Sequence, residues 1–388
     1  MYKRLLHIDP LSSQSVFLFG PRGTGKTHWV TSHFVEALYI DLLNTGTYNT
    51  LLASPGRLES MIPKQFKNWI IIDEVQKIPE LLNEVHRLIE HAQFKFILTG
   101  SSARNLRRRG TNLLAGRALN YTMHPLVCQE LKHDFNLQHA LKYGLLPNAV
   151  TNPDPALYLE TYVTTYLREE ILQEGITRNL SEFARFLEVA SFSQGNILNM
   201  SNVAREAAIS QKTVVAYFNI VEDLLLGIKI PVFTRRAQRQ LVAHPKFYFF
   251  DTGIYRTIRP RGLLDTADEI DGACLETLLL QHLLAINDYY HLRYQIYFWR
   301  TRNNVEVDFI LYGEHGLHAF EIKRKRTLDH KDFSGLKAFA KDYPMAHLTL
   351  IYGGSEQLYV DNIHVLPIEK ALFTLLEILQ GPHIPVSE

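Results

Sequence analysis

The chain is short of several things that would fix its class cheaply. It has two cysteines, Cys128 and Cys274, far apart and outside any C-x-x-C pattern. A disulfide scaffold and a thiolate metal site are therefore not expected, and sparse cysteine suits a reducing compartment. No apolar run approaches the ~18 residues that a membrane-spanning helix needs. The opening residues, Met1 to Leu11, lack an apolar signal core and carry Asp9, so a soluble, cytoplasmic protein with no membrane partner is expected. The formal net charge is only +1, so a nucleic-acid surface would have to be local rather than a property of the whole molecule. The 17 histidines are scattered and form no H-E-x-x-H. There is no low-complexity segment and no internal repeat.

What is present begins at Gly20. Gly20-Pro21-Arg22-Gly23-Thr24-Gly25-Lys26-Thr27 fits G-x-x-x-x-G-K-[ST]. The apolar run Val16–Phe19 precedes it as a strand, and the residues after Thr27 can open a helix. Strand, glycine loop and helix is the context in which backbone N–H groups cradle a polyphosphate. Lys26 would reach the β- and γ-phosphates and Thr27 would hold Mg²⁺. Further on, Trp69–Ile72 is an apolar strand delivering Asp73 and Glu74. Asp73 suits the metal's hydration shell, and Glu74 is placed to orient or deprotonate water. Two solvated turn carboxylates are the plainer alternative. Thr99 and Ser101, ending a strand over Phe94–Thr99, are candidate γ-phosphate or water sensors, or simply turn formers. Arg104, Arg107, Arg108, Arg109 and Arg117 follow. Arg117 is the first choice for a group that stabilises phosphoryl charge, in its own site or a neighbour's. Arg107–Arg109 reads as a solvated loop or a polyanion contact.

These segments, with Leu114-Ala115-Gly116-Arg117 and Pro125-Leu126 followed by Glu130, resemble AAA-type ATPases of a bacterial and archaeal group with a conserved uncharacterised C-terminal domain. The resemblance implies an ATP-binding AAA fold that hydrolyses ATP with Mg²⁺ and can self-associate through that domain. In such a fold Lys26, Thr27, Asp73 and Glu74 take their usual roles.

The rest of the chain divides by composition. The turn-rich Thr151-Asn152-Pro153-Asp154-Pro155 marks a boundary. Helical patterns follow over Tyr158–Gln173, Ser181–Phe192, Ser201–Ile209 and Thr213–Leu226, then extended stretches at Ile228–Phe233 and Lys246–Phe250. The middle helices resemble a winged helix. Lys212 is the only basic residue of the second helix, so a packing module is favoured over a DNA reader.

Near the end, Asp308 lies on a strand over Val305–Leu311, and Glu321-Ile322-Lys323 closes another. Residues two apart share a strand face, so Glu321 and Lys323 point together, and a hairpin would bring Asp308 beside Glu321. Two carboxylates and a lysine so placed can hold a divalent cation and steady a phosphoryl transition state. An ion-paired surface hairpin is the alternative. The segment resembles the PD-(D/E)XK nuclease superfamily, with Val307 where that motif has proline. That resemblance adds Glu276 as a third metal-ligating acid, makes Asp308, Glu321 and Lys323 the catalytic set, and implies Mg²⁺ or Mn²⁺ there. Lys323-Arg324-Lys325-Arg326 could meet a phosphate backbone.

The expected architecture is therefore α/β in three parts: an AAA-type P-loop parallel sheet over 1–150, a helical and winged-helix domain over 151–245, and a restriction-endonuclease-like α/β domain over 246–388. The expected function is an ATPase coupled to nuclease-like action on DNA. The alternative is a nucleotide-dependent switch or scaffold whose last domain binds a partner without cleavage.

Overall fold

The computed structural model describes residues 2–101, 114–167, 171, 179–235, 241, 244–260, 262 and 267–381. Arg104 and Arg107–Arg109 lie outside the described residues, as does most of 168–178, the end of the helix expected over Tyr158–Gln173. The chain forms two compact units. One takes residues 3–125 with 220–226, the other residues 126–219 and 227 onward.

The first unit is a five-stranded parallel sheet in the order β2-β3-β4-β1-β5. Its strands are β1 (Ser15–Phe19), β2 (Leu38–Asp41), β3 (Trp69–Asp73), β4 (Lys95–Gly100) and β5 (Ala118–Thr122). Every residue of β1 and β3 is buried. Phe17, Phe19, Ile70, Ile72, Phe96 and Leu98 join one core with Leu81, Leu82, Val85 and Leu88 of the helix Leu81–Ala92. Their neighbours Val16, Leu18, Ile71 and Ile97 alternate to the opposite face and are buried as well. Both faces are covered, as continuous apolar strands require. β1, β3 and β4 match the apolar runs Val16–Phe19, Trp69–Ile72 and Phe94–Thr99 to within a residue, and β2 falls on the largely apolar stretch Ala37–Leu42. The fifth, β5, was not expected. Ala118-Leu119-Asn120-Tyr121-Thr122 is an edge strand with Leu119 and Asn120 exposed, so it carries no apolar run to announce it.

In the second unit the turn-rich Thr151–Pro155 separates two short helices, Pro147–Thr151 and Pro155–Thr161, within one compact body. The helix Met200–Ala207 opens on the Asn199 side chain, which accepts from Asn202 N at 3.1 Å. It ends at Ala208 in the left-handed region, and the helix Gln211–Asp223 follows, with Ser210 Oγ accepting from Thr213 N at 3.1 Å. Next, β6 (Gly227–Ile230) pairs antiparallel with β7 (Lys246–Phe249).

The unit's larger sheet has six strands in the order β12-β13-β11-β10-β9-β8. These are β8 (Gln295–Arg300), β9 (Glu306–Gly313), β10 (Gly316–Lys323), β11 (His347–Tyr352), β12 (Leu358–Val360) and β13 (Ile363–Pro367). β9 and β10 form the expected antiparallel hairpin. The helix Ser334–Asp342 then carries the chain to β11, which lies parallel to β10. Trp299, Val307, Leu336, Phe339, Leu348 and Leu350 fill the core between that helix and the sheet.

The 23-residue helix Ala267–Tyr289 contains the fully buried His282. Its Nδ1–H donates to Leu278 O at 2.8 Å, and its Nε2 accepts from Cys128 N at 3.0 Å. The neutral ring satisfies both bonds, and burial lowers its pKa to about 4 from the ordinary 6.5. Protons therefore enter the unfolded chain first. The stability tied to neutral His282 is complete above pH 6.5 and is lost as pH falls toward 4, by up to about 3 kcal/mol. His282→Gln, whose amide oxygen can still accept from Cys128 N, should cost stability at pH 7 and progressively less by pH 4.5. Urea midpoints at both pH values check this, and a gap independent of pH refutes it.

Candidate functional site

The glycine loop leaves β1 and enters the helix Lys26–His33. Gly25 caps that helix at φ +92°, a left-handed geometry that would strain any residue with a Cβ. At Gly20 a Cβ would collide with the backbone oxygen of Met123, so glycine is required for close approach. Within the loop, Thr24 Oγ1 donates to Pro21 O at 2.8 Å. The buried Lys26 ammonium donates to Gly20 O at 2.7 Å and Pro21 O at 3.1 Å, which holds its charge over the loop.

Strand order gathers the remaining groups at the carboxyl ends of β1, β2, β3 and β4. Asp73, 1% exposed, sits at the end of β3. Its Oδ2 accepts from Thr27 Oγ1 at 2.8 Å and from Tyr39 OH at 2.6 Å. Its Oδ1 accepts from Thr99 Oγ1. Burial, then Asp73 itself, pushes the Tyr39 phenol pKa up, so Tyr39 remains a donor. Glu74 follows at φ +60°, uncommon for a residue with a side chain, and its N–H donates to Thr99 Oγ1 at 3.2 Å. Gln76 Nε2 donates both to the Glu74 carboxylate and to Ser101 Oγ, the latter at 3.0 Å. One amide thus ties together the expected base and one expected sensor.

Thr27, Asp73, Glu74, Thr99 and Ser101 are therefore joined by hydrogen bonds. A loop of N–H groups, a buried ammonium, and a hydroxyl beside a carboxylate form a donor set that fits a nucleotide's phosphates with Mg²⁺. Arg117 has a different setting. It is part-exposed and pairs with Glu90 of the helix Leu81–Ala92. Tyr39 and Gln76 were not foreseen. Each is a single polar residue whose role depends on a neighbouring strand or turn.

The second unit holds another cluster. Beyond the Phe309–Phe320 pair of the β9–β10 ladder, Asp308 and Glu321 come next in register. Asp308 Oδ2 accepts from Ile322 N at 2.9 Å, and Lys323 Nζ donates to Glu321 Oε1 at 2.5 Å. Glu276, on the long helix, accepts from Tyr248 OH at 2.7 Å. The expected four residues are joined by one that sequence reasoning missed. Lys246 of β7 has a side chain only 2% exposed. Its ammonium pairs with Glu306 and lies 3.7 Å from Glu276 and 3.8 Å from Asp308. A signal existed: a lysine opening the run Phe247-Tyr248-Phe249-Phe250 is out of place unless it is paired.

Burial raises the Glu276 pKa to about 7 against the opposing pull of Lys246. Burial, then Asp308, raises that of Glu321 as well. Burial alone would lower the Lys246 pKa, but Tyr248 and the surrounding carboxylates raise it, so the ammonium stays charged. Among the described residues, no group of three or more His, Cys, Asp or Glu is arranged to hold a metal ion. One carboxylate oxygen, Glu321 Oε2, is buried without a hydrogen-bond partner. A divalent cation at these carboxylates would have to sit close to an ammonium already 3.7 Å from Glu276 and 3.8 Å from Asp308, which disfavours it. The basic run after β10 is partly neutralised, Arg324 by Asp271 and Lys325 by Asp329 and Asp332.

Comparison with known proteins adds the following. Residues 12–132 match a family described as an AAA domain. The N-terminal part is thus similar to an AAA-type P-loop domain. Residues 134–265 and 271–371 match two domains of unknown function, DUF8612 and DUF4143. An uncharacterized protein of Mycobacterium tuberculosis is 27% identical, covering 96% of this chain and 83% of its own length. One from Methanocaldococcus jannaschii is 23% identical, covering 95% and 90%. Among solved structures, the Aeropyrum pernix ORC1 protein in complex with DNA aligns at a TM-score of 0.24 with 12% identity, over 63% of this chain and 86% of that one. A Vibrio cholerae protein aligns at 0.24 with 10% identity, over 95% and 98%. Scores that low carry no conclusion about fold. No helix among the described residues is long and apolar enough to cross a membrane.

Tyr39→Phe removes one of the donors that orient Asp73. Loss of an outer partner of a metal-binding carboxylate typically costs roughly 10–100-fold. The Mg²⁺ concentration for half-maximal ATP hydrolysis should rise by about tenfold or more, while nucleotide affinity measured in EDTA stays unchanged. An unaltered Mg²⁺ requirement would make the bond merely structural.

Proposed function

We propose that this protein is an ATP-hydrolysing switch that controls its own C-terminal domain. The observation that carries the ATPase half is the bond from Thr27 Oγ1 to the buried Asp73 carboxylate, beneath a glycine loop that holds the Lys26 ammonium. In this reading the backbone of Gly20–Thr27 binds the phosphates and Lys26 offsets their charge. Thr27 and Asp73 hold Mg²⁺, which neutralises charge on the phosphate oxygens when bound. Glu74 orients the attacking water or takes its proton, and Gln76 fixes the angle of Glu74. Thr99 and Ser101 report on the terminal phosphate. Arg117, part-exposed and paired only with a surface glutamate among the contacts described, is suited to act on a neighbouring copy's site once self-association displaces Glu90.

The helix pair Met200–Ala207 and Gln211–Asp223, with the small β6–β7 sheet, supports a winged-helix reading used for packing. For the last domain, the adjacency of Asp308 and Glu321 with Lys323 supports a nuclease-like fold. The Lys246 ammonium amid its carboxylates favours binding of a partner without cleavage over Mg²⁺-dependent cutting. DNA is the partner to test first.

Lys26→Ala should abolish nucleotide binding, and Glu74→Gln should bind ATP but turn it over at least about 100-fold more slowly. Normal hydrolysis by Glu74→Gln would remove the base assignment. Plasmid incubated with Mg²⁺ or Mn²⁺, with and without ATP, should remain intact. Cleavage that disappears in Asp308→Ala or Lys323→Ala would restore the nuclease reading.

A further inference from the structure

We propose that Lys246 is the resident cation of the C-terminal carboxylate cluster, standing where a divalent metal would otherwise be needed. The inference concerns the second unit alone and is independent of whether the first hydrolyses ATP.

Several observations converge on it. Lys246 opens β7 with its side chain almost wholly removed from water, although lysine is rarely buried without partners. Its ammonium lies over the Phe298 ring, 5.6 Å from the ring centre, as well as among the carboxylates. Those carboxylates come from different elements: Glu276 from the long helix, Glu306 and Asp308 from β9. One ammonium therefore joins the small sheet, the helix and the large sheet.

The charges are also nearly balanced. Glu276, Glu306, Asp308 and Glu321 face three cations: Lys246, Arg300 at 3.0 Å from Glu306, and Lys323 at 2.5 Å from Glu321. Removing Lys246 would leave the ionised carboxylates short of a counter-charge that a divalent ion could supply. With Lys246 in place, such an ion would have to enter beside a fixed positive charge in a medium that screens poorly. One oxygen of each of three acids already accepts a hydrogen bond. Asp308 Oδ2 accepts from a backbone N–H, Glu276 Oε2 accepts from Tyr248, and Glu321 Oε1 accepts from Lys323. Whatever this cluster binds, it does so without a divalent metal.

The test is manganese(II) titration of the full-length protein without nucleotide, read by the loss of the free-ion paramagnetic resonance signal. Wild type and Asp308→Asn should bind equal amounts of manganese, since the asparagine oxygen can still accept from Ile322 N. Lys246→Ala should bind a further ion, and Lys246→Ala/Asp308→Asn should lose it again. A wild-type protein that binds more manganese than Asp308→Asn overturns the proposal, as does a folded Lys246→Ala that gains none. Circular dichroism checks the fold of each variant. Should Lys246→Ala fail to fold, the comparison of wild type with Asp308→Asn still decides between a resident lysine and a metal site.

Discussion

A carboxylate buried at the end of a buried strand is the constraint around which the nucleotide unit is organised. Asp73 is 1% exposed, and an ionised carboxylate in that position is expensive unless hydrogen bonds replace its water. Three hydroxyls do so: Thr27 from the loop helix, Tyr39 from β2 and Thr99 from β4. Each donor belongs to a different element, so satisfying this one group fixes the ends of β2, β3 and β4 relative to the glycine loop. The strand order β2-β3-β4-β1-β5 is what makes this possible, because it sets β3 between β2 and β4 and brings β1 beside β4. Glu74 depends on the same hub, since its N–H donates to the Thr99 oxygen that also serves Asp73.

This dependence explains how much of the site was legible in the sequence. Glycine at positions of positive φ, lysine and threonine at the helix start, and acids at the end of an apolar run are each local signals. They sit at fixed offsets because the backbone forces them to. Gly20–Thr27, Asp73 and Glu74 could therefore be proposed by inspection, with Thr99 and Ser101 only as candidates. Tyr39 and Gln76 could not, because nothing in their own neighbourhoods requires them. Tyr39 becomes a donor only when β2 lies beside β3, with Asp41 level with Asp73. Gln76 matters only because β4 delivers Ser101 beside it. The edge strand β5 was hidden for a related reason. Its pairing with β1 is real, but exposure of Leu119 and Asn120 removes the apolar period by which buried strands are read. At the level of the whole chain, the turn-rich stretch at Thr151–Pro155 illustrates the same limit. Pro155 there opens a helix, and composition does not distinguish that use from a linker.

The C-terminal cluster presents the same physical problem with a different answer. Here too, acids are brought together at the end of a hairpin and against a helix; strand spacing suggested that Asp308 would lie beside Glu321, whereas Glu276 came only from a family resemblance. The counter-charge was not foretold. Metal-binding sites and internally neutralised sites can share one carboxylate pattern, because the pattern records the acids and not what faces them. The difference lies in β7, some sixty residues before the hairpin, where one lysine replaces what an apolar strand would otherwise supply. Asp73 is held by neutral donors that a Mg²⁺ ion could supplement. Asp308 and Glu276 lie beside a fixed ammonium that such an ion would have to displace.

That contrast bears on how a conserved-looking acid triad should be read in general. A group of carboxylates is strong evidence of a cation and weak evidence of which cation. Deciding requires locating every positive side chain that the fold can bring within ~4 Å, including those from distant strands. In the nucleotide unit Lys26 donates to the loop's own carbonyls, and Asp73 accepts from three hydroxyls. In the second unit Lys246 reaches three carboxylates, and Lys323 reaches a fourth. Lys323 belongs to the pattern that resembles a metal-dependent catalyst; Lys246 does not, and it sets a second, buried ammonium among the same carboxylates.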